Sequence, residues 1–241
     1  MILILGGTAE GRRLAAALPE ALLSLAGRTD NPAVTGRTRS GGFGGVDGLA
    51  EFLRTQQVSA VVDATHPFAA TMHHHADRAC ADVGVALLRV ERPSWGQHPE
   101  AAGWQWVASH AEAARAAARV GGPIFLTVGR QHTPDYVEIL ADSDVVARVT
   151  DPPDVALPER WTVLRSRGPF ALDDERALFA GHGFRCVVTK DAGGSHTDAK
   201  LTAAREAGAA VVMISRPEPE PGVQVVNSVE DALEWVHAVA S

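Results

Sequence analysis

With 241 residues, the chain can bury a sizeable core, as one large domain or two small ones. A hydrophobic fraction of 46% and a mean hydropathy near zero fit a globular protein, and no apolar run approaches bilayer length. A net charge of −7 argues against a general nucleic-acid or membrane-surface binder. An anionic small molecule stays compatible with that charge, provided that Arg and Lys are gathered locally.

The chain opens directly on a strand, residues 2–5, with no basic segment or cleavage site, so no signal peptide is expected and the location is read as cytoplasmic. Cys80 and Cys186 show no CxxC or metal-type spacing and read as a buried, reduced pair. A helix over 10–18, a strand over 21–26 and a helix over 47–56 follow, the last with Leu49, Phe52 and Leu53 on one face. Next come a strand over 60–63, a helix over 68–83 and a strand over 86–90. Residues 94–106 form a weakly periodic connection in which Trp95, Trp104 and Trp106 are expected to cover a boundary between lobes. Beyond it, strands are expected over 124–128, 145–149, 163–165, 186–189 and 211–215. The helices expected there run over 110–119, 134–139, 173–180, 198–207 and 228–239. Asp173, Asp174 and Glu175 suit a first helical turn, and Ser228 with Asp231 a capped start. Continuous apolar strands separated by helices predict parallel sheets covered on both faces, in two domains over 1–107 and 108–241.

The first strand runs into Gly6-Gly7-Thr8-Ala9-Glu10-Gly11 and then a helix, the address of a dinucleotide-binding fingerprint. Gly6 and Gly11 fill the outer glycine positions; Thr8 replaces the middle one, and its hydroxyl is a candidate donor to a phosphate. An NAD site would place an acid at the end of the second strand. This chain has Ser24-Leu25-Ala26-Gly27-Arg28-Thr29 there. Arg28, assisted by Ser24 or Thr29, suits a 2′-phosphate and therefore NADPH; it also counts against S-adenosylmethionine. The alternative for Arg28 is an ordinary surface arginine.

Three more loops stand out. Arg39-Ser40-Gly41-Gly42-Phe43-Gly44-Gly45 is either a flexible linker or a ligand wrap that sets Phe43 against a flat ring. Asp63-Ala64-Thr65-His66-Pro67-Phe68-Ala69 follows a parallel strand, where α/β proteins place ligands. Thr65 suits an N-cap and Pro67 a first turn, which leaves His66 unexplained. Lys190-Asp191-Ala192-Gly193-Gly194-Ser195 precedes a helix bearing Lys200. His73-His74-His75 is no metal site, because consecutive helical residues point in different directions. No metal is expected.

In this order, GGTAEG, SLAGRT, GGFGG, DATHPFA, ERPSW, RGPF, KDAGG and SRP resemble the precorrin-6A reductase family from residue 2 to about 217. Ala192 departs from the serine more usual in that loop, so a hydroxyl there is not essential. The resemblance implies two Rossmann-like lobes, each a mainly parallel sheet with flanking helices, and an active site in the cleft between them. It implies NADPH-dependent reduction of precorrin-6A to precorrin-6B in cobalamin biosynthesis, and transient contacts with neighbouring pathway enzymes. Gly6, Gly7, Thr8 and Gly11 would hold the pyrophosphate; Ser24, Gly27, Arg28 and Thr29 the adenosine end; Thr65 would lie by the nicotinamide. Candidates for the carboxylate-rich tetrapyrrole are Arg39, Gly42, Phe43, Gly44, Lys190, Lys200 and Arg216, with Arg92 and Arg130 also at strand ends. His66 is the side-chain candidate for the proton donor, against water or a substrate carboxyl. A reductase or epimerase of another small molecule is the alternative, although no Tyr-x-x-x-Lys pair exists: Leu140 stands where the lysine would follow Tyr136. A non-catalytic NADPH-binding regulator would leave GGFGG and KDAGG without a role.

Overall fold

The computed structural model describes residues 1–26, 36–194, 197–218 and 221–239. Gly27, Arg28 and Thr29, expected at the adenosine end, lie outside the described residues. The chain divides into two compact units, Met1–Arg92 with Pro217–Ser241, and Pro93–Arg216.

The first unit alternates β1 (Ile2–Leu5), α1 (Ala9–Ala17), β2 (Leu22–Leu25), β3 (Arg37–Ser40), α2 (Gly45–Thr55), β4 (Ala60–Asp63), α3 (Ala70–Val83) and β5 (Ala86–Val90). From the far end of the chain it also takes β12 (Gln224–Val226) and α7 (Val229–Val239). All pairings are parallel, in the order β12-β5-β4-β1-β2-β3. The two-residue period of β1 sends Ile4 to one face, with Leu14, Val62, Val229 and Val236. It sends Leu3 and Leu5 to the other, with Leu49, Leu53, Val61 and Ala76.

The second unit contains β6 (Gln105–Val107), α4 (His110–Val120), β7 (Ile124–Leu126), β8 (Val145–Val149), β9 (Trp161–Arg165), α5 (Leu172–His182), β10 (Cys186–Lys190), α6 (Ala199–Glu206) and β11 (Ala210–Ile214). Its parallel order is β6-β11-β10-β7-β8-β9. Ser109 accepts the Glu112 N–H while the Glu112 carboxylate accepts the Ala108 N–H, which starts α4. Phe125 stacks on Phe184 with Phe179 edge-on, and Trp95 and Trp104 belong to the same core.

Both sheets follow the doubly wound order of dinucleotide-binding domains, 3-2-1-4-5-6. The sixth strands are exchanged: β6 follows β5 in the chain but pairs with β11, and β12 follows β11 but pairs with β5. Domains over 1–107 and 108–241 are corrected accordingly. Residues 93–107 go to the second unit because they bury Trp95 and Trp104 in its core. The C-terminal segment returns to the first, where Val229, Ala232 and Val236 of α7 cover the sheet. Trp95 and Trp104 belong to the core of the second unit, and Trp106 packs against it. The helix expected over 134–139 is only a 3-10 turn, Thr133–Tyr136. Among the described residues, no helix is long and apolar enough to cross a membrane.

Candidate active site

In the doubly wound order, the switch point of the first unit lies between β1 and β4, at their C-terminal ends. Gly7 adopts φ +135 there, and a Cβ on it would meet nothing within 4 Å, so its outer side is open. A Cβ on Gly11 would sit 3.2 Å from Gly6 Cα, so this glycine is what lets α1 approach β1 closely. Thr8 caps α1: its Oγ1 accepts the Gly11 N–H at 3.1 Å and donates to the Ala64 carbonyl at 2.7 Å. Its hydroxyl is therefore committed to the fold rather than to a phosphate. The N–H groups of Gly7, Thr8, Ala9 and Glu10 meet no acceptor among the described residues. They form a cradle at a helix N-terminus, which fits a pyrophosphate.

Beside it, Asp63 ends β4 fully buried. Its Oδ1 accepts both the Thr65 N–H at 3.1 Å and the Thr65 hydroxyl at 2.7 Å. Its Oδ2 lies 2.7 Å from His73 Nδ1 and 3.5 Å from Arg89 Nε. Thr65 is thus a partner of Asp63 and no N-cap; α3 starts later, at Ala70 after Ala69, and Pro67 precedes it. His66 Nδ1 accepts the Phe68 N–H at 3.2 Å, within the same turn. Of the three consecutive histidines, His73 is buried against Asp63 and His74 is exposed, as their divergent helical directions require.

Ser24, buried near the end of β2, pairs with Leu5 on one side and Arg39 on the other. Arg39 Nη1 donates to Ser24 Oγ at 2.8 Å and to the Gly41 carbonyl at 3.0 Å; Nη2 donates to the Gly42 carbonyl at 3.0 Å. Its guanidinium lies 3.9 Å from the Phe43 ring centroid, and Phe43 meets Phe52 edge-on. Phe43 is therefore already stacked on a protein partner, and Arg39, Gly42, Phe43 and Gly44 gather beside the β2 end of the first sheet.

The remaining candidates lie in the second unit. Lys190 ends β10, and Asp191 follows it. Asp191 accepts the Ser94 hydroxyl at 2.6 Å and the Trp95 N–H at 2.8 Å, and pairs with Arg216 Nε at 3.1 Å. Trp95 Nε1 donates to the Gly194 carbonyl. Lys200, in the first turn of α6, is buried with Nζ 4.8 Å from the Trp95 ring and bonded to the Thr197 carbonyl. Burial, then the Arg148 charge, pushes the Lys200 amine down to about 7, and burial takes Lys190 to about 8.

A group that the sequence reading passed over lies near the C-terminal ends of β6 and β7. His110 Nδ1 is 2.9 Å from the Tyr136 hydroxyl and His132 Nδ1 is 3.0 Å from Asp135. The two imidazoles stack with centroids 3.9 Å and planes 12° apart. Burial, then His132 and Lys190, pushes His110 down to about 4, so it is neutral at ordinary pH. Donor atoms of His110, His132 and Asp135 lie within 4.8 Å of one another. The in-plane lone pairs of near-parallel rings run side by side, however, and do not converge on one ion as ligation demands.

The chain matches the family described as Precorrin-6x reductase CbiJ/CobK over residues 1–237. It is 47% identical to the precorrin-6A reductase of Rhodococcus erythropolis, with 98% of this chain and 96% of that one covered. The chain belongs to the precorrin-6x reductase family. A cobalt-precorrin-6A reductase of Priestia megaterium is 32% identical, with 100% and 98% covered. A solved structure of CobK precorrin-6A reductase matches with a TM-score of 0.90 at 38% identity, covering 100% of this chain and 97% of that one.

As a member of the precorrin-6x reductase family, the protein is an oxidoreductase, and its substrate is a tetrapyrrole precursor. In this reductase Asp63 carried one visible signal, a carboxylate at a strand end before Thr65. Its partners His73 and Arg89 carried none, because each lies on a different element.

Proposed function

We propose that the enzyme reduces precorrin-6A to precorrin-6B with NADPH, in the cytoplasm. The observation that carries this reading is the open N–H cradle of residues 7–10 on a doubly wound sheet whose second strand ends without a carboxylate. When bound, NADPH supplies the hydride. The N–H groups of Gly7 and Thr8, with those of Ala9 and Glu10, would hold the pyrophosphate, while the Gly6 and Gly11 N–H groups are taken by the Ser24 carbonyl and Thr8 Oγ1. Ser24 with Gly27, Arg28 and Thr29 would hold the adenosine end. Thr65 orients the turn beside the nicotinamide. His66, whose Nδ1 accepts the Phe68 N–H, would be the proton donor to the macrocycle, acting from its imidazolium form and left as the neutral ring. Lys190, Lys200 and Arg216 hold substrate carboxylates, and positioning is the main contribution of the protein.

Anaerobic turnover with precorrin-6A tests this, with NADPH absorbance and the macrocycle spectrum followed together. Equimolar NADPH loss and spectral change are expected, and a His66→Asn variant should slow the reaction at least about tenfold. Activity only on the cobalt-containing substrate would transfer the assignment to that form. NADPH binding with silence on both substrates would make the protein a regulator or a reductase of something else.

The lysines set a pH dependence. Lys200 and Lys190 are charged below about 7 and about 8, and only the charged forms pair with carboxylates. KM for the tetrapyrrole is therefore expected to rise several-fold between pH 6.5 and about pH 9. A flat KM would remove both lysines from the carboxylate contacts. Folding runs the opposite way. The unfolded chain holds these protons up to about pH 10.4, so stability should increase with pH above the native values.

A further inference from the structure

We infer that Arg39, held by Ser24, is the residue that distinguishes NADPH from NADH by binding the 2′-phosphate; this rests on the NADPH reading above. Ser24 is at the strand-end position where dinucleotide-binding sheets meet the adenosine ribose, one strand from the Gly6 turn, and Arg39 is its neighbour on β3. Among the described residues, the other sheltered arginines of this unit face carboxylates: Arg89 with Asp63 at 3.5 Å, and Arg92 with Glu10 at 3.8 Å. Arg39 has no carboxylate partner among the described residues. Its protein acceptors are neutral, the Ser24 hydroxyl and the Gly41 and Gly42 carbonyls. They orient the guanidinium without neutralising it, and Phe43 fixes its plane.

Three of its five N–H groups are used by those acceptors, so two remain for an anion. The Ser24 hydroxyl accepts from Arg39 and keeps its own proton to donate. Around this fork the chain leaves room, since a Cβ on Gly41, Gly42 or Gly44 would meet nothing within 4 Å. A dianionic monoester on a ribose fits a fork with two spare donors and an adjacent hydroxyl; a neutral 2′-hydroxyl would leave the charge unanswered.

The test compares wild type, Arg39→Gln and Arg39→Lys for kcat/KM with NADPH and with NADH, each at saturating tetrapyrrole. The NADPH-to-NADH selectivity should fall roughly 10- to 100-fold in Arg39→Gln, as expected for a lost charge-assisted contact, and less in Arg39→Lys. Adenosine 2′,5′-bisphosphate should lose its advantage over adenosine 5′-monophosphate as a competitor in parallel. Should the variants fail to fold, wild-type protein answers by phenylglyoxal labelling, with Arg39 protected by NADP⁺ and not by NAD⁺. Selectivity retained in Arg39→Gln, or equal protection by both nucleotides, overturns this inference alone. A wild type with no preference for NADPH overturns the cofactor reading and this inference with it.

Discussion

Asp63→Ala is expected to lower folding stability by about 3–5 kcal/mol, the cost of removing one partner from a buried ion pair. Asp63 is 0% exposed and Arg89 2%, and Asp63 is the carboxylate that faces both Arg89 and His73. Among the described residues, Arg89 Nε and Nη2 and His73 Nε2 have no hydrogen-bond partner, so no other acceptor there duplicates the electrostatic contribution of Asp63. The substitution would strand a buried cation. It would also release the Thr65 N–H and hydroxyl, which fix the turn that carries His66. Urea unfolding at pH 7 reads the effect, and a loss below about 1 kcal/mol would show that Arg89 finds water or another acceptor.

The same group gives an acid signature. Burial raises the Asp63 carboxyl, but its bonds to His73 and Thr65 outweigh that and hold it below the ordinary carboxylate value. The unfolded carboxyl titrates at about 3.9. Above that value the depressed native group contributes stability, which is lost as the pH falls through the lower native value. Wild type should therefore lose stability more steeply than Asp63→Ala on acidification from about pH 5.

Gly11→Val should abolish tight cofactor binding, raising the Kd for NADPH by about 100-fold or more, roughly 3 kcal/mol. Its Cβ would meet Gly6 Cα at 3.2 Å and Ala64 at 3.6 Å, and none of these is the far end of a flexible chain. The γ carbons of valine would add to that crowding, so α1 must move away from β1. The N–H cradle and the Thr8 bridge to Ala64 move with it. Overpacking itself costs about 1–3 kcal/mol of stability. Fluorescence titration with NADPH, alongside a thermal melt, separates the two effects. An unchanged Kd in a destabilised variant would place the cofactor elsewhere. Gly7 is constrained differently: a Cβ there meets nothing, but φ +135 strains any other residue.

Several parts of this architecture are written locally. Strands such as Ile2–Leu5 and Ile124–Leu126 are buried on both faces, so each appears as an unbroken apolar run between helical patterns. The glycine turn after β1 and the loops after β4 and β10 are likewise visible, because a strand end followed by small or turn-forming residues is a short-range pattern. Three of the four edge strands were not visible, and the fourth, β9, was visible only over 163–165. β3, β6 and β12 read Arg-Thr-Arg-Ser, Gln-Trp-Val and Gln-Val-Val, too polar or too short to announce themselves. Sequence periodicity records which side of an element is buried and does not name its neighbour.

The sequence by itself determined the class of fold, the dinucleotide-type turn, the absence of an acid at the end of β2 and the resemblance to a reductase family. Tertiary structure alone decided that β6 and β12 are exchanged between the sheets, which moves the expected domain boundary from 107 to 92 and adds a second after 216. It also committed the Thr8 hydroxyl to Ala64, took Thr65 from a helix cap to Asp63, and set Arg39 against Ser24. The physical reason is common to all of these. Apolar periodicity and turn propensity act between residues a few positions apart, whereas strand pairing and buried polar contacts join residues such as 8 with 64 and 90 with 226, whose proximity exists only once the sheets have formed.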